Sequence, residues 1–363
     1  MGITVTGGIS FGSGLAVTAP APPSYYVSVA SSNSPSIFTY PWSSSSGFGT
    51  KFADPATVPD PDGTSVAFSP QGDVLALGHG YTQFSVYRWS SNGYGTKFAD
   101  PIGFTGAQLK VNSFSPSGDV IACGSTNGVF VYPWSSISGF GTKFTSPAQY
   151  LGTVEGASFS PSGNIIALAF RQSPYVAVYT WSGSGFGTKF ADPATLPPST
   201  GYAVTFSPLG DAISVGGEHL DGIAGVSVYP WSGSGFGTKF TNPGTLPATI
   251  PTFGTAFSPS GNAFASSFYA ASAPNGLCVW QWSGSGFGTK FANPSPTLSS
   301  QDGVAFSPLG DAIAVVSAFA SPSMNAYPWS DSSGFGTRFA NPATMPAPYV
   351  LGPPLALAFG TIQ

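Results

Sequence analysis

Charge is scarce in this chain. Asp, Glu, Lys and Arg make up 7% of its 363 residues, against roughly 25% in ordinary soluble proteins. The formal net charge is −4, which excludes a bulk field able to recruit nucleic acid or an anionic membrane surface. There are two cysteines, Cys123 and Cys278, too few for a disulfide framework, and they read as buried thiols. The two histidines, His79 and His219, share no neighbourhood with Cys, Asp and Glu at metal-ligand spacing, so no metal and no cofactor is expected. No apolar run reaches about 18 residues, which argues against a membrane-spanning helix. The N-terminus lacks a basic segment, and its apolar residues are broken by Gly7, Gly8, Gly12 and Gly14, a poor match to a secretory signal. Phosphate-cradling Gly-Lys-(Ser/Thr) loops, helical periodicity and basic patches interleaved with exposed aromatics are missing too.

What the chain has is a repeat. Gly-(Phe/Tyr)-Gly-Thr-(Lys/Arg)-Phe starts at Gly47, Gly93, Gly139, Gly185, Gly235, Gly286 and Gly334, at spacings of 46, 46, 46, 50, 51 and 48 residues. A period in this range copies one supersecondary unit around a ring or along a solenoid. Each unit reads as four short strands. Val66-Ala67-Phe68 ends in Ser-Pro-Gln-Gly-Asp turn chemistry, and Val74 to Leu77 is a second apolar strand. Phe84 to Trp89 alternates at period two, and Thr96 to Ala99 follows a Gly-rich turn and is stopped by Pro101. Four short strands per repeat indicate an all-β, seven-bladed propeller of four-stranded blades.

The units resemble the WD-repeat propeller family at Phe-Ser-Pro-x-Gly-(Asp/Asn), which begins at Phe68, Phe114, Phe159, Phe206, Phe257 and Phe306, and at an aromatic-x-Trp pair such as Tyr87/Trp89. Trp is followed by Ser rather than Asp, and no Gly-His dipeptide opens the units. The Phe-Ser-Pro element occurs six times and aromatic-x-Trp seven. The missing innermost strand is therefore expected at Leu355 to Phe359, completing a blade whose other three strands are N-terminal. This closure leaves no open seam. The chain divides into residues 1–23, an extended arm with a Pro-rich linker, and residues 24–363, the propeller.

The turns between strands one and two and between three and four repeat almost unchanged, whereas the loops on the opposite face vary. Variable loops on a rigid scaffold are the candidate recognition surface, through Tyr81, Arg171, Gln172, Tyr175, Glu218, His219, Asp221, Tyr269, Asn275 and Met324. Glu218, His219 and Asp221 form the densest titratable cluster and read as a surface loop. Asp60-Pro61-Asp62-Gly63 lacks the downstream Glu of a calcium loop and reads as a turn. Seven of the ten basic residues hold one repeat position: Lys51, Lys97, Lys143, Lys189, Lys239, Lys290 and Arg338. They read either as a basic ring for an acidic partner or as protection of outer strand edges, with Asp54, Asp100 and Asp192 three residues on.

The arm cannot bury Ile3, Val5, Ile9, Phe11, Leu15 and Val17 by itself, so it is expected to dock on a partner. Its Ile-Thr-Val-Thr-Gly-Gly-Ile-Ser-Phe-Gly pattern resembles the Gly-rich N-terminal arms of tailed-phage virion proteins. That resemblance implies a non-enzymatic virion structural protein: a head or tail decoration or a fibre, anchored by the arm to other virion proteins in a multi-copy assembly and offering its loops to a host-surface glycan or protein. A secreted multivalent lectin and an intracellular WD-repeat scaffold are the alternatives. No blade-specific carboxylates are read in the inner strands, so catalysis is not expected.

Overall fold

The computed structural model describes residues 25–80, 84–104, 108–147, 152–218, 225–247, 250–269, 272, 274–347 and 356–361. Among these there is no helix, and the strands form seven four-stranded antiparallel sheets. The inner strands of blades 2 to 7 are Gly63–Phe68, Leu109–Phe114, Val154–Phe159, Gly201–Phe206, Thr252–Phe257 and Gly303–Phe306. Each packs beside the inner strand of the next blade around the ring. Blade 1 takes its inner strand, Leu357–Thr361, from the far end of the chain and its second, Tyr25–Ala30, from the front. They pair antiparallel, Tyr25 opposite Thr361 and Val29 opposite Leu357. The closure expected at residues 355 to 359 is thus present two residues further on. Tyr25 and Thr361 lie at the Ser-Pro-x-Gly face, where a Cβ on Gly72 would come within 2.4 Å of the Thr361 carbonyl oxygen.

The repeated motif is the joint between blades. In Gly-Phe-Gly-Thr-Lys-Phe the first ring packs edge-on against the Trp of its own blade, as Phe186 does on Trp181 at 5.0 Å. The second reaches the Trp of the next blade. Phe144 meets Trp181 at 5.1 Å, Phe190 meets Trp231 at 5.0 Å, and Phe339 closes the ring on Trp42 at 4.9 Å. Such edge-to-face pairs add about 0.5–1.5 kcal/mol each beyond their buried area. The first Gly is required because its φ is positive, +77° at Gly47, and a Cβ there would lie 2.8 Å from the Phe339 Cβ.

The fourth strand differs from the expected one. The expected Thr96 to Ala99 is observed as Gly93–Lys97, and in blades 1, 3, 5 and 7 only a Gly-Phe pair remains in the ladder, as at Gly47–Phe48. In those four blades the third-strand residue before the Trp is a proline, Pro41, Pro133, Pro230 or Pro328, which has no N–H to give the ladder, whereas Arg88, Thr180 and Gln281 stand there in the other three. The last Phe of the motif keeps its N–H bond to the third strand in both kinds of blade, as Phe52 does to the Thr39 carbonyl at 2.9 Å and Phe98 to that of Val86 at 2.8 Å. The tyrosines of the third strands pin the connectors between blades: Tyr87 donates to the Thr57 carbonyl at 2.8 Å and Tyr40 to that of Thr344 at 2.6 Å. The repeated basic residues are held in the same scaffold. Lys51, Lys97 and Lys189 pair with Asp54, Asp100 and Asp192 and are only 15%, 17% and 21% exposed. Lys239 and Lys290 bond Asn242 and Asn293, and Arg338 donates to Asn325. Lys51 and Lys143 also sit over the Phe38 and Phe130 rings.

Candidate functional site in the channel mouth

Each inner strand begins on the face of the variable loops, and five begin with a register shift. The shifts fall between Gly63 and Ser65, Leu109 and Val111, Val154 and Gly156, Gly201 and Ala203, and Thr252 and Gly254. The extra residues are Thr64, Lys110, Glu155, Tyr202 and Phe253. A bulge leaves one residue out of the ladder and re-aims its side chain. Asp302 stands at the matching place in blade 7, four residues before the inner-strand Phe, as each of the others does. The scaffold thus presents six different side chains at one structural position.

They line a cavity of about 440 Å³ at this end of the central channel, together with Arg171 and the inner-strand residues beneath. That volume falls in the range of small-molecule sites, roughly 300–1,000 Å³. Glu155 forms an ion pair with Arg171 Nε across the blade. The Glu155 side chain is 9% exposed and that of Arg171 49%, so the carboxylate is shielded while the guanidinium keeps donors facing the opening. Burial pulls the Arg171 pKa down, but the hydrogen bond and charge of Glu155 outweigh it and the net direction is upward. Tyr202 donates its hydroxyl to Glu218 Oε2 at 2.5 Å. Burial raises its pKa, and Glu218 adds to the rise, so Tyr202 remains a phenol and a hydrogen-bond donor at neutral pH. Asp302 is buried and accepts the Ala318 N–H at 2.5 Å. Burial raises the Asp62 pKa near the same opening, and the Lys110 charge opposes it.

Two shielded or buried carboxylates, two cations and a phenol can bind a polar ligand, accept a proton and counter a developing negative charge. The expectation that inner strands lack blade-specific carboxylates is corrected by Glu155 and Asp302. They escaped notice because they precede the apolar body of their strands and look like loop residues. A signal was available: counting back four residues from each Phe of Phe-Ser-Pro gives Thr, Lys, Glu, Tyr, Phe and Asp, a column with no two residues alike.

Of the expected recognition residues, Arg171 lines the cavity, Glu218 meets it through Tyr202, and Tyr269 packs on Phe253 at 4.9 Å. Gln172 and Tyr175 form the adjoining turn, where Tyr175 donates its N–H to the Gln172 carbonyl. Asn275 lies in a turn and Met324 is buried in the core against the blade 1 strands. Tyr81, His219 and Asp221 fall outside the described residues, as do Ile3, Val5, Ile9, Phe11, Leu15 and Val17 of the arm. No group of three or more His, Cys, Asp or Glu able to hold a metal occurs among the described residues. Asp60 is used in a turn, its carbonyl accepting from Ser36 and facing His79 Nδ1. His79 is buried opposite Gly63, with Nε2 3.1 Å from Ser85 Oγ, and burial lowers its pKa to about 4.

No family model and no curated protein matches this chain. Its fold matches that of a Bacteroides uniformis protein provisionally named a 6-phosphogluconolactonase, with a TM-score of 0.69 and 14% identity over 93% of this chain and 99% of that one. A Lactobacillus plantarum protein matches equally, with a TM-score of 0.69 and 14% identity over 92% of this chain and 99% of that one. At such identity the likeness is one of fold. It nonetheless corrects the expectation of a non-enzymatic virion structural protein: the propeller has a neighbour named for an enzyme, neither of these two is named as a phage component, and the channel mouth carries the acid, base and cation inventory that the sequence reading denied.

Proposed function

We propose that this protein is a hydrolase acting at the channel mouth, and that its substrate class is a lactone of a small sugar-derived acid. The observation that supports this reading is the gathering of Lys110, Glu155 and Tyr202 around one cavity by successive bulged strands, with Arg171 joining them from the loop after a second strand. The name borne by the Bacteroides uniformis protein suggests the substrate class.

Lactone opening needs a water molecule activated as it attacks the ring carbonyl and a positive environment for the oxyanion that forms. Glu155 accepts the proton of the attacking water. The guanidinium of Arg171 and the ammonium of Lys110 counter the charge on the carbonyl oxygen. The ring C–O bond then breaks, and the alkoxide takes the proton from Glu155. The product is a hydroxy acid, which releases one proton at neutral pH. No electron donor or further reactant is needed. The shielding of Glu155 strengthens these charge interactions relative to open solvent.

Proton release in weak buffer tests the proposal, with δ-gluconolactone and its 6-phosphate as substrates. The protein should accelerate opening well beyond the spontaneous rate. Glu155→Gln should remove about 10²- to 10⁴-fold of the acceleration while leaving the thermal midpoint near that of the parent. A parent protein no faster than buffer on either lactone would overturn the reading.

A further inference from the structure

Beside the charged end of the cavity runs a row of four aromatic rings that the repeat does not explain. Tyr202 meets Phe253 edge-on at 4.8 Å, Phe253 meets Tyr269 at 4.9 Å, and Tyr269 meets Phe319 at 5.1 Å. The rings of the repeat, such as Trp231 and Phe206, are buried in joints between blades. These four are all half-buried. They come from three successive blades: two bulged inner-strand positions and two loops between second and third strands. Tyr202 and Phe253 line the cavity, and Tyr269 and Phe319 continue the row toward the rim. The platform is firmly based. The Tyr269 N–H is bonded to the Pro251 carbonyl, the Phe319 N–H to Ser317 Oγ, and Phe319 packs on the core of blades 7 and 1.

Polar groups flank the row at the end nearest the channel. The Tyr202 hydroxyl bonds Glu218, and Arg171 is close enough for its charge to act on Tyr202. The combination is amphipathic: apolar ring surfaces on one side and donors and acceptors along one edge. A saturated, hydroxylated six-membered ring has the complementary shape. Its C–H face carries slight positive charge that suits the negative face of an aromatic ring, and its hydroxyls suit Arg171 and Glu218. We propose that Tyr202, Phe253 and Tyr269 form a stacking subsite for the ring of a cyclic polyol. This selects the closed ring form over open-chain acids with the same hydroxyls. The inference rests on the channel mouth being the ligand site but not on the hydrolytic step.

Binding of 1,5-anhydroglucitol, a cyclic polyol with no carbonyl to hydrolyse, separates the two. Calorimetric titration of the full chain should show saturable binding, and Phe253→Ala and Tyr269→Ala should each weaken it by roughly tenfold. Phe253→Tyr, which keeps a ring, should retain most of the affinity. Gluconate should be nearly insensitive to the same substitutions. If the cyclic polyol binds in this pattern while lactones are not opened, the subsite stands and the hydrolase reading fails. If lactones are opened with KM unchanged in both alanine variants, the hydrolase reading stands and the subsite is refuted. Absence of any 1,5-anhydroglucitol binding, or tighter stacking of adenosine than of the polyol, also overturns the subsite.

Discussion

Two columns of the repeat behave in opposite ways. At the outer edge, the Trp of the third strand and the two rings of Gly-(Phe/Tyr)-Gly-Thr-(Lys/Arg)-Phe recur in every blade, and the last Phe of each copy is spent on the same joint with the following Trp. At the start of the inner strand, the side chain differs in all six described blades that begin there: Thr64, Lys110, Glu155, Tyr202, Phe253 and Asp302. A joint that closes a ring must be the same everywhere, because one weak interface opens the whole ring. A position that looks into the shared channel is free of that constraint, and its variety is what a binding site is made from. In this repeat protein, sameness marks the joints, and the column that departs from it lines the cavity.

The structural side of the comparison breaks most severely at the closure. Removing residues 350 to 363 takes away the strand paired with Tyr25–Ala30 and leaves the inner edge of that strand unpaired. The expected loss is comparable to a domain's whole stability, about 5–15 kcal/mol. Thermal unfolding checks it, and a truncated chain that unfolds at the parent temperature would contradict the closure. Phe339→Ala acts at the same seam by removing the ring that meets Trp42, at an expected cost of about 3–5 kcal/mol. Phe190→Ala, at an internal joint with Trp231, should cost a similar amount, since the two contacts have nearly the same geometry. Denaturant midpoints of the two variants sharpen the claim that all joints are equivalent; a seam variant far less stable than the internal one would limit it.

A smaller effect separates the buried scaffold from the site by pH. His79 is fully buried and its pKa is lowered to about 4 from 6.5. Its folded form therefore resists protonation that the unfolded chain accepts. The stability it protects is whole above pH 6.5 and is lost as pH falls toward 4, by on the order of 3 kcal/mol in all. His79→Gln should flatten this acid limb while leaving any lactone-opening activity at neutral pH unchanged. An unaltered acid limb would show that other groups carry it.

Much of the architecture was legible from composition and spacing. The blade count followed from seven copies of one hexapeptide, and the closure from one missing Phe-Ser-Pro. The fourth strand was placed too late because Lys-Phe has strand-like residues, whereas the ladder starts at the motif's first Gly and is cut short where the third strand carries a proline. The site was only partly legible. Arg171 was found because it stands in a variable loop, whereas Glu155 and Asp302 were missed because a bulge is not visible as periodicity: one extra residue shifts the alternation just where the strand starts. Arm residues such as Ile9 and Phe11 drew the functional reading toward a virion, although the more informative variation lay four residues before each inner-strand Phe.

A ligand should meet this protein at the bulged inner-strand column and not at the repeated turns. Amide chemical-shift mapping during titration with 1,5-anhydroglucitol and, separately, with gluconate tests it most directly. Shifts should concentrate at Lys110, Glu155, Tyr202, Phe253 and Asp302, with the Ser-Pro-x-Gly amides of Gly72, Gly118, Gly163, Gly210, Gly261 and Gly310 unmoved. Shifts confined to those glycines, or no shift at the bulged residues with either ligand, would contradict it.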